Sequence, residues 1–291
     1  MKGYKISLAR TLDAITFVSN LLLLLHLTSV TGEVGDSGIG QAMNEVEPHS
    51  GGNAGASGQR GRSCKLHSPA KVSRFQRLGK LVGTDKVDPH HGFHNVYPRY
   101  LDYLRWQPIK LLEIGFYKGS SIKLWMQYLR KAKIVSMDKM CVKGKEVCRG
   151  RMSTPHTQVL SSEELRRFSF HHKDQTIESD NADVCEKDGP FDVIIDDGAH
   201  TMVSIRTSLK VLLSCVKPGG YYIVEDLHTA YQAEYGGGFR SEDSVMNIFK
   251  EMMDVVNNRA FNKSYSVVPG DDRVSAVSCF PQICVVEITK G

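Results

Sequence analysis

Short apolar runs alternate with amphipathic segments beyond residue 108, and this alternation predicts an α/β fold. Five runs have the length and apolar content of buried parallel strands: 109–116, 133–139, 168–174, 191–200 and 221–226. Apolar residues at helical spacing, or a capping signal, predict helices over 120–132, 161–167, 204–216 and 242–258. We therefore expect a doubly wound, mostly parallel sheet with helices on both faces.

The last two apolar segments predict a different kind of pairing. RVSAVSCF (273–280) and ICVVEIT (283–289) flank a short Pro-Gln turn at 281–282. Two strands joined by so short a turn can only run antiparallel, so we expect an antiparallel C-terminal strand pair. The Pro-Gly-Gly segment at 218–220 is expected to end the helix that precedes the fifth strand.

The first part of the chain has the composition of a targeting segment followed by a linker. Basic residues precede an apolar run at 15–30, which predicts a signal peptide or a signal anchor over 1–31. Both forms place the protein in the secretory pathway, secreted or in the Golgi or ER lumen. Residues 32–63 are rich in Gly and Ser and predict a disordered linker. We expect an N-terminal helical lobe at 64–108 and the main domain at 109–291.

Composition and charge narrow the classes of partner. The chain of 291 residues is 41% hydrophobic and 24% charged, which is ordinary for a soluble globular domain. Its net charge of +5 is not concentrated in basic blocks interleaved with aromatic residues, so nucleic-acid binding is not expected. Membrane contact is expected only through the N-terminal segment if it is uncleaved. Whether the protein forms a homo-oligomer is left open by the sequence.

The seven cysteines fit a secretory compartment. Cys141 and Cys148 flank a short loop, as do Cys279 and Cys284, and either pair could close a small disulfide. Cys215 falls in the apolar pattern of a helix and is expected in the core. Because the sequence has no CxxC pair, a structural zinc site is not predicted.

Acidic residues lie at the carboxyl end of every one of the five predicted parallel strands. They are Glu113, Asp138, Asp174, Asp196, Asp197, Glu225 and Asp226. Ligands of doubly wound sheets bind beyond the carboxyl ends of the strands. A carboxylate at all five ends is hard to explain by solvated loops alone, so the sequence predicts a binding site at this edge.

The turn after the first strand indicates which ligand this edge takes. Glu113 to Ser120 reads E-x-G-x-x-x-G-S, a glycine-bearing turn that opens a helix. The carboxylate of Glu113 would repel a pyrophosphate but attract a cationic sulfonium or ammonium ligand. Asp138 could accept hydrogen bonds from both hydroxyls of a ribose, and Asp174 could accept one from an adenine amino group.

The full set of candidate cofactor-binding residues extends beyond these. It comprises Thr84, Lys86, Glu113, Gly115, Gly119, Ser120, Asp138, Asp174, Gln175 and Asp196. Thr84 and Lys86 either close over the cofactor or simply form a loop turn.

Six segments together resemble a known family over about 80–291. They are GTDK (83–86), HGFHNVYPRY (91–100), EIGFYKGSSIKLW (113–125), KDQ (173–175), FDVIIDDGAH (191–200) and PGGYYIVEDLHTAY (218–231). In order and spacing they are similar to the class I S-adenosylmethionine-dependent methyltransferases, and more narrowly to the macrocin/mycinamicin-type sugar O-methyltransferases. The resemblance implies a seven-stranded sheet and S-adenosylmethionine as cofactor.

The resemblance also implies a metal site and a base. Asp197, Glu225 and Asp226 match the family's three magnesium-binding carboxylates, and His200 matches its proposed general base. Clustered carboxylates repel one another unless a hard cation lies among them, and Mg²⁺ prefers oxygen ligands. A histidine with an ordinary pKa near ~6.5 can take a proton near neutrality.

Three hypotheses about function follow. The first is an Mg²⁺-assisted O-methyltransferase acting on a hydroxyl of a sugar, a glycan or a glycosylated small molecule. The second is another transferase, or a hydroxylase-like relative, on the same fold. The third is a noncatalytic binding protein, which the intact set of strand-end acids argues against.

Overall fold

The computed structural model describes residues 72–139, 160–258 and 266–290. These residues form one seven-stranded sheet in the order β3-β2-β1-β4-β5-β7-β6. The strands are β1 (Lys110–Ile114), β2 (Lys133–Met137), β3 (Phe168–His171), β4 (Phe191–Asp196), β5 (Val216–Val224), β6 (Val274–Phe280) and β7 (Ile283–Ile288). The first five are parallel, and β7 pairs antiparallel with both β5 and β6. The predicted fold class is confirmed.

Helices follow the strands in the order that a doubly wound sheet requires. Their bounds are α1 (Arg74–Val82), α2 (Tyr97–Leu101), α3 (Ser120–Tyr128), α4 (Ser162–Arg166), α5 (Glu178–Asp188), α6 (Met202–Leu212) and α7 (Met246–Asn258). The sequence pattern did not predict α5. Its segment, ESDNADVCEKD, carries few apolar residues, and its two buried residues are the polar Asn181 and the apolar Val184. With so weak an amphipathic pattern, helical periodicity is not visible in the sequence.

The core has two layers, one on each side of the sheet. One layer is closed by aromatic side chains of the N-terminal segment. The Phe75 ring lies 5.2 Å from that of Tyr97 and 5.1 Å from that of Tyr128. The Tyr97 ring lies 5.0 Å from that of Trp125, with the two rings tilted by 66°. The stacked pair Phe75–Tyr97 and the two edge-to-face contacts fix α1 and α2 against α3.

The boundary between α6 and β5 differs from the prediction. The helix was predicted over 204–216 with Pro-Gly-Gly as its end, but α6 ends at Leu212 and β5 already begins at Val216. The Pro-Gly-Gly segment lies inside the strand. A side chain at Gly220 would place its Cβ 2.5 Å from the carbonyl oxygen of Asp192, so glycine permits the close pairing with β4.

Two disulfides lie within the described residues. The predicted pair Cys279–Cys284 is confirmed, and it joins directly opposed residues of β6 and β7. Cys215 is buried in the core as expected, and it is also bonded to Cys185, which the sequence did not predict. Cys185 belongs to α5, the helix that the sequence pattern did not reveal, so its partner could not be assigned. The candidate loop pair Cys141 and Cys148 lies outside the described residues.

The predicted targeting segment (1–31) and linker (32–63) also lie outside the described residues. Among the helices that the structure does describe, none has the length and apolar character needed to cross a bilayer.

Candidate functional site

The parallel strands end level with one another, which brings the strand-end acids together. Ile114 of β1 pairs with Met137 on one side and with Asp196 on the other. Gly115 follows at once with φ of 95°, and its N–H donates to Met137 O at 2.9 Å. An added Cβ at Gly115 would lie 2.1 Å from the carbonyl oxygen of Asp197. Glycine is required there because two strand ends touch through their backbones.

A cavity of about 280 Å³ opens beside this contact. Four of the predicted cofactor-binding residues line it: Gly115, Asp138, Asp174 and Gln175. Tyr117 lines it as well, and with 81% of its surface exposed it stands at the mouth of the cavity. The prediction missed Tyr117. Its one signal in the sequence is an aromatic residue inside the glycine-bearing turn.

Hydrogen bonds shape the floor of the cavity. Oδ2 of Asp138 accepts from the N–H groups of Phe116 and Tyr117, at 2.8 Å and 3.2 Å. Oδ1 of Asp174 accepts from both the backbone N–H and the hydroxyl of Thr176. The loop after β1 therefore holds the carboxylate of Asp138 in one orientation, and Asp174 is held by its own loop.

Asp196 supports the cavity from below. Its side chain is buried and accepts hydrogen bonds from Nε2 of Gln175 at 2.6 Å and from the hydroxyl of Ser208. Burial raises the pKa of Asp196 to about 6, although these donors lower it. The side-chain oxygen of Gln175 in turn accepts from the N–H of Ala199. The structure thus places Asp196 behind Gln175 and not on the cavity surface.

The remaining candidates from the glycine-bearing turn and the GTDK segment also lie off the cavity surface. Gly119 caps α3 with φ of 72°, and Ser120 is the first residue of that helix. Thr84 is buried, and its hydroxyl lies 3.4 Å from Oδ1 of Asp85. Their role in cofactor binding stays a prediction.

Lys86 lies at the centre of a buried cluster of carboxylates. Its Nζ lies 2.5 Å from Oδ2 of Asp197, 2.6 Å from Oε2 of Glu225 and 3.6 Å from Oε1 of Glu113. Burial alone would lower the pKa of Lys86, but the three carboxylates outweigh it and hold that pKa well above its usual value. Lys86 is therefore the internal counter-ion of the cluster.

The two fully buried acids of this cluster have further donors. Glu113 accepts from Nε1 of Trp125 at 2.9 Å and from the hydroxyl of Ser121 at 2.8 Å. Burial raises the pKa of Glu113 to about 7, against the opposing effect of Lys86. The hydroxyl of Tyr97 donates to Oε1 of Glu225. Tyr97 thus combines ring packing in the core with a polar contact at Glu225.

A second group forms where β4 and β5 end. One ligand atom each of Asp197, His200 and Asp226 lies within 4.8 Å of the others. Nε2 of His200 is 3.4 Å from Oδ2 of Asp226 and 4.0 Å from Oδ1 of Asp197. His200 and Asp226 both have left-handed backbones, with φ of 57° and 54°. Backbone strain of this kind in residues other than glycine is typical of functional sites.

This group fits a small divalent cation. Oδ1 of Asp226 is buried and accepts no hydrogen bond within the described residues. A buried carboxylate oxygen without a donor is costly unless a cation satisfies it. Two carboxylates with open positions suit Mg²⁺, which keeps several sites for water or substrate. Glu225 lies outside the group because Lys86 and Tyr97 hold its two oxygens, so its predicted role as a ligand stays a prediction.

Comparison with known proteins agrees with this geometry. Residues 112–227 match a family model described as a methyltransferase domain. The chain is also similar to the solved structure of the MycE methyltransferase from the mycinamycin biosynthetic pathway, in complex with Mg, SAH and mycinamycin VI. The TM-score is 0.62 at 26% identity, over 76% of this chain and 54% of that chain. The domain has the class I methyltransferase fold.

Curated relatives of this chain include two O-methyltransferases. The chain is 30% identical over 235 residues to the 8-demethyl-8-(2-methoxy-alpha-L-rhamnosyl)-tetracenomycin-C 3'-O-methyltransferase of Streptomyces olivaceus, covering 76% of this chain and 56% of that protein. It is 27% identical over 231 residues to the mycinamicin VI 2''-O-methyltransferase of Micromonospora griseorubida, covering 73% and 52%. The chain spans about half the length of these relatives.

Proposed function

We propose that this protein is an S-adenosylmethionine-dependent, Mg²⁺-assisted O-methyltransferase that acts on a hydroxyl of a sugar or of a glycosylated small molecule. One observation carries the proposal. Asp197 both lines the cavity that holds Asp138 and Asp174 and belongs to the group with His200 and Asp226. A methyl donor in the cavity and an acceptor at the ion would therefore meet at one residue.

The residues of the cavity suit the donor. Asp138 and Asp174 present oriented carboxylates to ribose hydroxyls and to an adenine amino group. The net negative charge of these two acids and of Asp197 favours a cationic sulfonium over an anionic cofactor. Lys139 and Lys173 also line the cavity, so its rim is not uniformly acidic.

The residues at the ends of β4 and β5 suit the acceptor. Asp197 and Asp226 would hold the ion, with His200 between them. Bound Mg²⁺ lowers the pKa of a hydroxyl that it coordinates. Nε2 of His200 lies within 4.0 Å of an oxygen of each acid, so a hydroxyl held at the ion would be near enough to give it a proton. Holding donor and acceptor in line then contributes most of what a displacement reaction needs.

Similarity to relatives supports the class of acceptor. The names of the two curated relatives specify O-methylation of a rhamnosyl-bearing tetracenomycin C and of mycinamicin VI. A sugar offers vicinal hydroxyls that can reach an ion and a base together. We therefore favour a sugar hydroxyl over a catechol or a carboxylate as the methyl acceptor.

Calorimetry on the full chain tests the proposal. S-adenosylhomocysteine should bind, and Mg²⁺ should bind more tightly in its presence. Asp197→Ala should abolish Mg²⁺ binding, whereas Asp254→Ala on the exposed face of α7 should change nothing. Absence of S-adenosylhomocysteine binding would overturn the proposal.

Mass spectrometry with a panel of rhamnosides separates methylation from the hydroxylase alternative. Methylation adds the mass of one methylene to the rhamnoside, and hydroxylation adds the mass of one oxygen.

We also propose that the protein folds in the secretory pathway. The basic and apolar N-terminal segment supports this, as do the Cys185–Cys215 and Cys279–Cys284 disulfides. The triplet at Asn262 is an acceptor for N-linked glycans. In a eukaryotic host, a glycan that is lost in Asn262→Gln would support entry into the lumen, and sequencing the mature N-terminus would separate cleavage from anchoring. A protein with free thiols in the cytosol would refute this proposal.

A further inference from the structure

The turn between β6 and β7 reaches into the ion group. Gln282 occupies this turn with φ of 68°, and its carbonyl oxygen accepts from the N–H of Leu227 at 2.9 Å. Leu227 is the residue directly after Asp226. The backbone of Gln282 therefore contacts the segment that presents one of the two acids of the group.

The side chain of the same glutamine holds a histidine. Oε1 of Gln282 lies 2.7 Å from Nδ1 of His91. A carboxamide oxygen only accepts, so Nδ1 of His91 carries the hydrogen in this contact. The His91 ring is also stacked on Phe93, with centroids 4.9 Å apart and planes 11° apart. Two contacts thus fix the orientation of this ring.

The held ring points its other nitrogen at Asp226. Nε2 of His91 lies 3.6 Å from Oδ1 of Asp226, the buried oxygen that accepts no hydrogen bond within the described residues. His200 lies on the other oxygen, Oδ2, at 3.4 Å. A third imidazole is near as well, since Nδ1 of His228 lies 3.9 Å from Oδ1 of Asp226. With its hydrogen on Nδ1, the His91 ring presents Nε2 as an acceptor, and a cation beside the compact group of Asp197, His200 and Asp226 would satisfy both Nε2 and Oδ1.

The turn is itself fixed. The Cys279–Cys284 disulfide closes the hairpin, and the guanidinium of Arg99 lies 5.1 Å from the centroid of the Phe280 ring. A side chain carried on so constrained a turn can define the position of its neighbour. Groups that contact a metal ligand from outside commonly change metal affinity by ~10- to 100-fold when they are removed.

We propose that Gln282 is a positioning residue of the divalent-ion site: by accepting from Nδ1 of His91 it fixes the tautomer that leaves Nε2, beside Oδ1 of Asp226, available to the ion. This inference rests on the ion site of the proposed function. It adds the β6–β7 turn to the ion site, a segment that neither the strand-end acids nor the family motifs include. The ion site then depends on the β6–β7 turn as well as on β4 and β5.

Manganese binding to the full chain tests this without an acceptor. Mn²⁺ affinity is measured by electron paramagnetic resonance in the presence of S-adenosylhomocysteine. Gln282→Met, which keeps the length of the side chain but not its carboxamide, should weaken Mn²⁺ binding by about ten-fold. Gln282→Gly removes the side chain in a residue type that suits φ of 68° and should have the same effect. Gln282→Glu keeps an acceptor for Nδ1 of His91 and should retain the affinity.

Matched substitutions separate positioning from a general loss of structure. His91→Leu should weaken Mn²⁺ binding, whereas His90→Leu at the exposed neighbouring residue should not. Gln107→Met removes an exposed amide that donates to Tyr103 O and serves as the control for Gln282→Met. The affinity for S-adenosylhomocysteine should stay constant throughout. Because His91 and Gln282 act as a unit, the double variant should bind Mn²⁺ no more weakly than the weaker single variant.

The outcomes are distinguishable. If the unaltered chain binds Mn²⁺ and both Gln282→Met and His91→Leu bind it as the controls do, the inference is refuted and the ion site stands. If the unaltered chain binds no Mn²⁺, the metal part of the proposed function is refuted, and this inference with it. Weaker binding in both variants at constant S-adenosylhomocysteine affinity supports the inference.

Discussion

Nζ of Lys86 lies 2.6 Å from Oε2 of Glu225, and both side chains are buried. The two residues are 139 positions apart, one in the segment after α1 and the other at the end of β5. Lys86 also contacts Asp197, so a single ammonium group neutralises acids from two neighbouring strands. The N-terminal segment thereby supplies the charge that makes the carboxyl edge of the sheet stable.

Removing this ammonium should destabilise the fold strongly. In Lys86→Met the carboxylates of Glu225, Asp197 and Glu113 would be left close together without their counter-ion. We expect a loss of about 3 to 5 kcal/mol in the free energy of unfolding, measured by urea denaturation. Lys80→Met in the last turn of α1, at an exposed position, is the control. Equal unfolding free energies for the two variants would contradict the assignment of Lys86 as counter-ion.

Glu113 should make stability depend on pH near neutrality. Burial raises its pKa from 4.5 in the unfolded chain to about 7 in the fold, so the folded state binds the proton more tightly. The stabilising contribution is complete below pH 4.5 and is lost as the pH rises through 7.

The variant Glu113→Gln should therefore lose less stability than the unaltered chain between pH 5 and pH 8, by on the order of 2 kcal/mol. Chemical denaturation at several pH values measures this difference. The same pH dependence in both proteins would show that Glu113 is not the group that titrates.

Asp138 should control binding of the donor. Asp138→Ala removes the acceptor for the N–H groups of Phe116 and Tyr117 and one carboxylate of the cavity. Hydrogen bonds that involve a charged group contribute about 1.5 to 3 kcal/mol, so S-adenosylhomocysteine affinity should fall by roughly 10- to 100-fold. Calorimetry measures this, with Asp254→Ala as control. An unchanged affinity would place the donor elsewhere.

The two disulfides should differ in their contribution to stability. Cys185–Cys215 closes a loop of 30 residues and Cys279–Cys284 one of 5. By loop-closure entropy, replacing the first pair with alanine should cost roughly 3.5 kcal/mol and replacing the second roughly 2 kcal/mol. Unfolding under oxidising conditions measures both losses, and a reductant should bring the unaltered chain to the level of the variants. A larger loss for the short loop would argue against loop closure as the cause.

The sequence predicted those features that depend on local pattern. Buried strands such as β1 and β4 are unbroken apolar runs, and a parallel sheet gathers the residues that follow them at one edge. Asp138, Asp174 and Asp197 could be placed on that principle alone. By contrast, α5 buries so few apolar side chains that no periodicity marks it, and the Cys185–Cys215 pairing was missed with it.

A local sequence pattern could not predict the contacts between segments that are distant in the chain. Nothing in the GTDK segment shows that Lys86 reaches Glu225, because that contact depends on how the N-terminal segment packs across the sheet. The hydrogen bond from Tyr97 to Glu225 and the contact between His91 and Gln282 have the same origin. Periodicity identifies which residues are buried, but it does not identify their polar partners.

The backbone contact between Gly115 and Asp197 has a consequence for protein engineering. Because no side chain fits between them, the donor loop and the acid that serves the acceptor cannot be altered one at a time. A chimera that imports the loop after β1 from a relative must import the end of β4 with it. A redesign of substrate range should therefore treat the two loops as one unit.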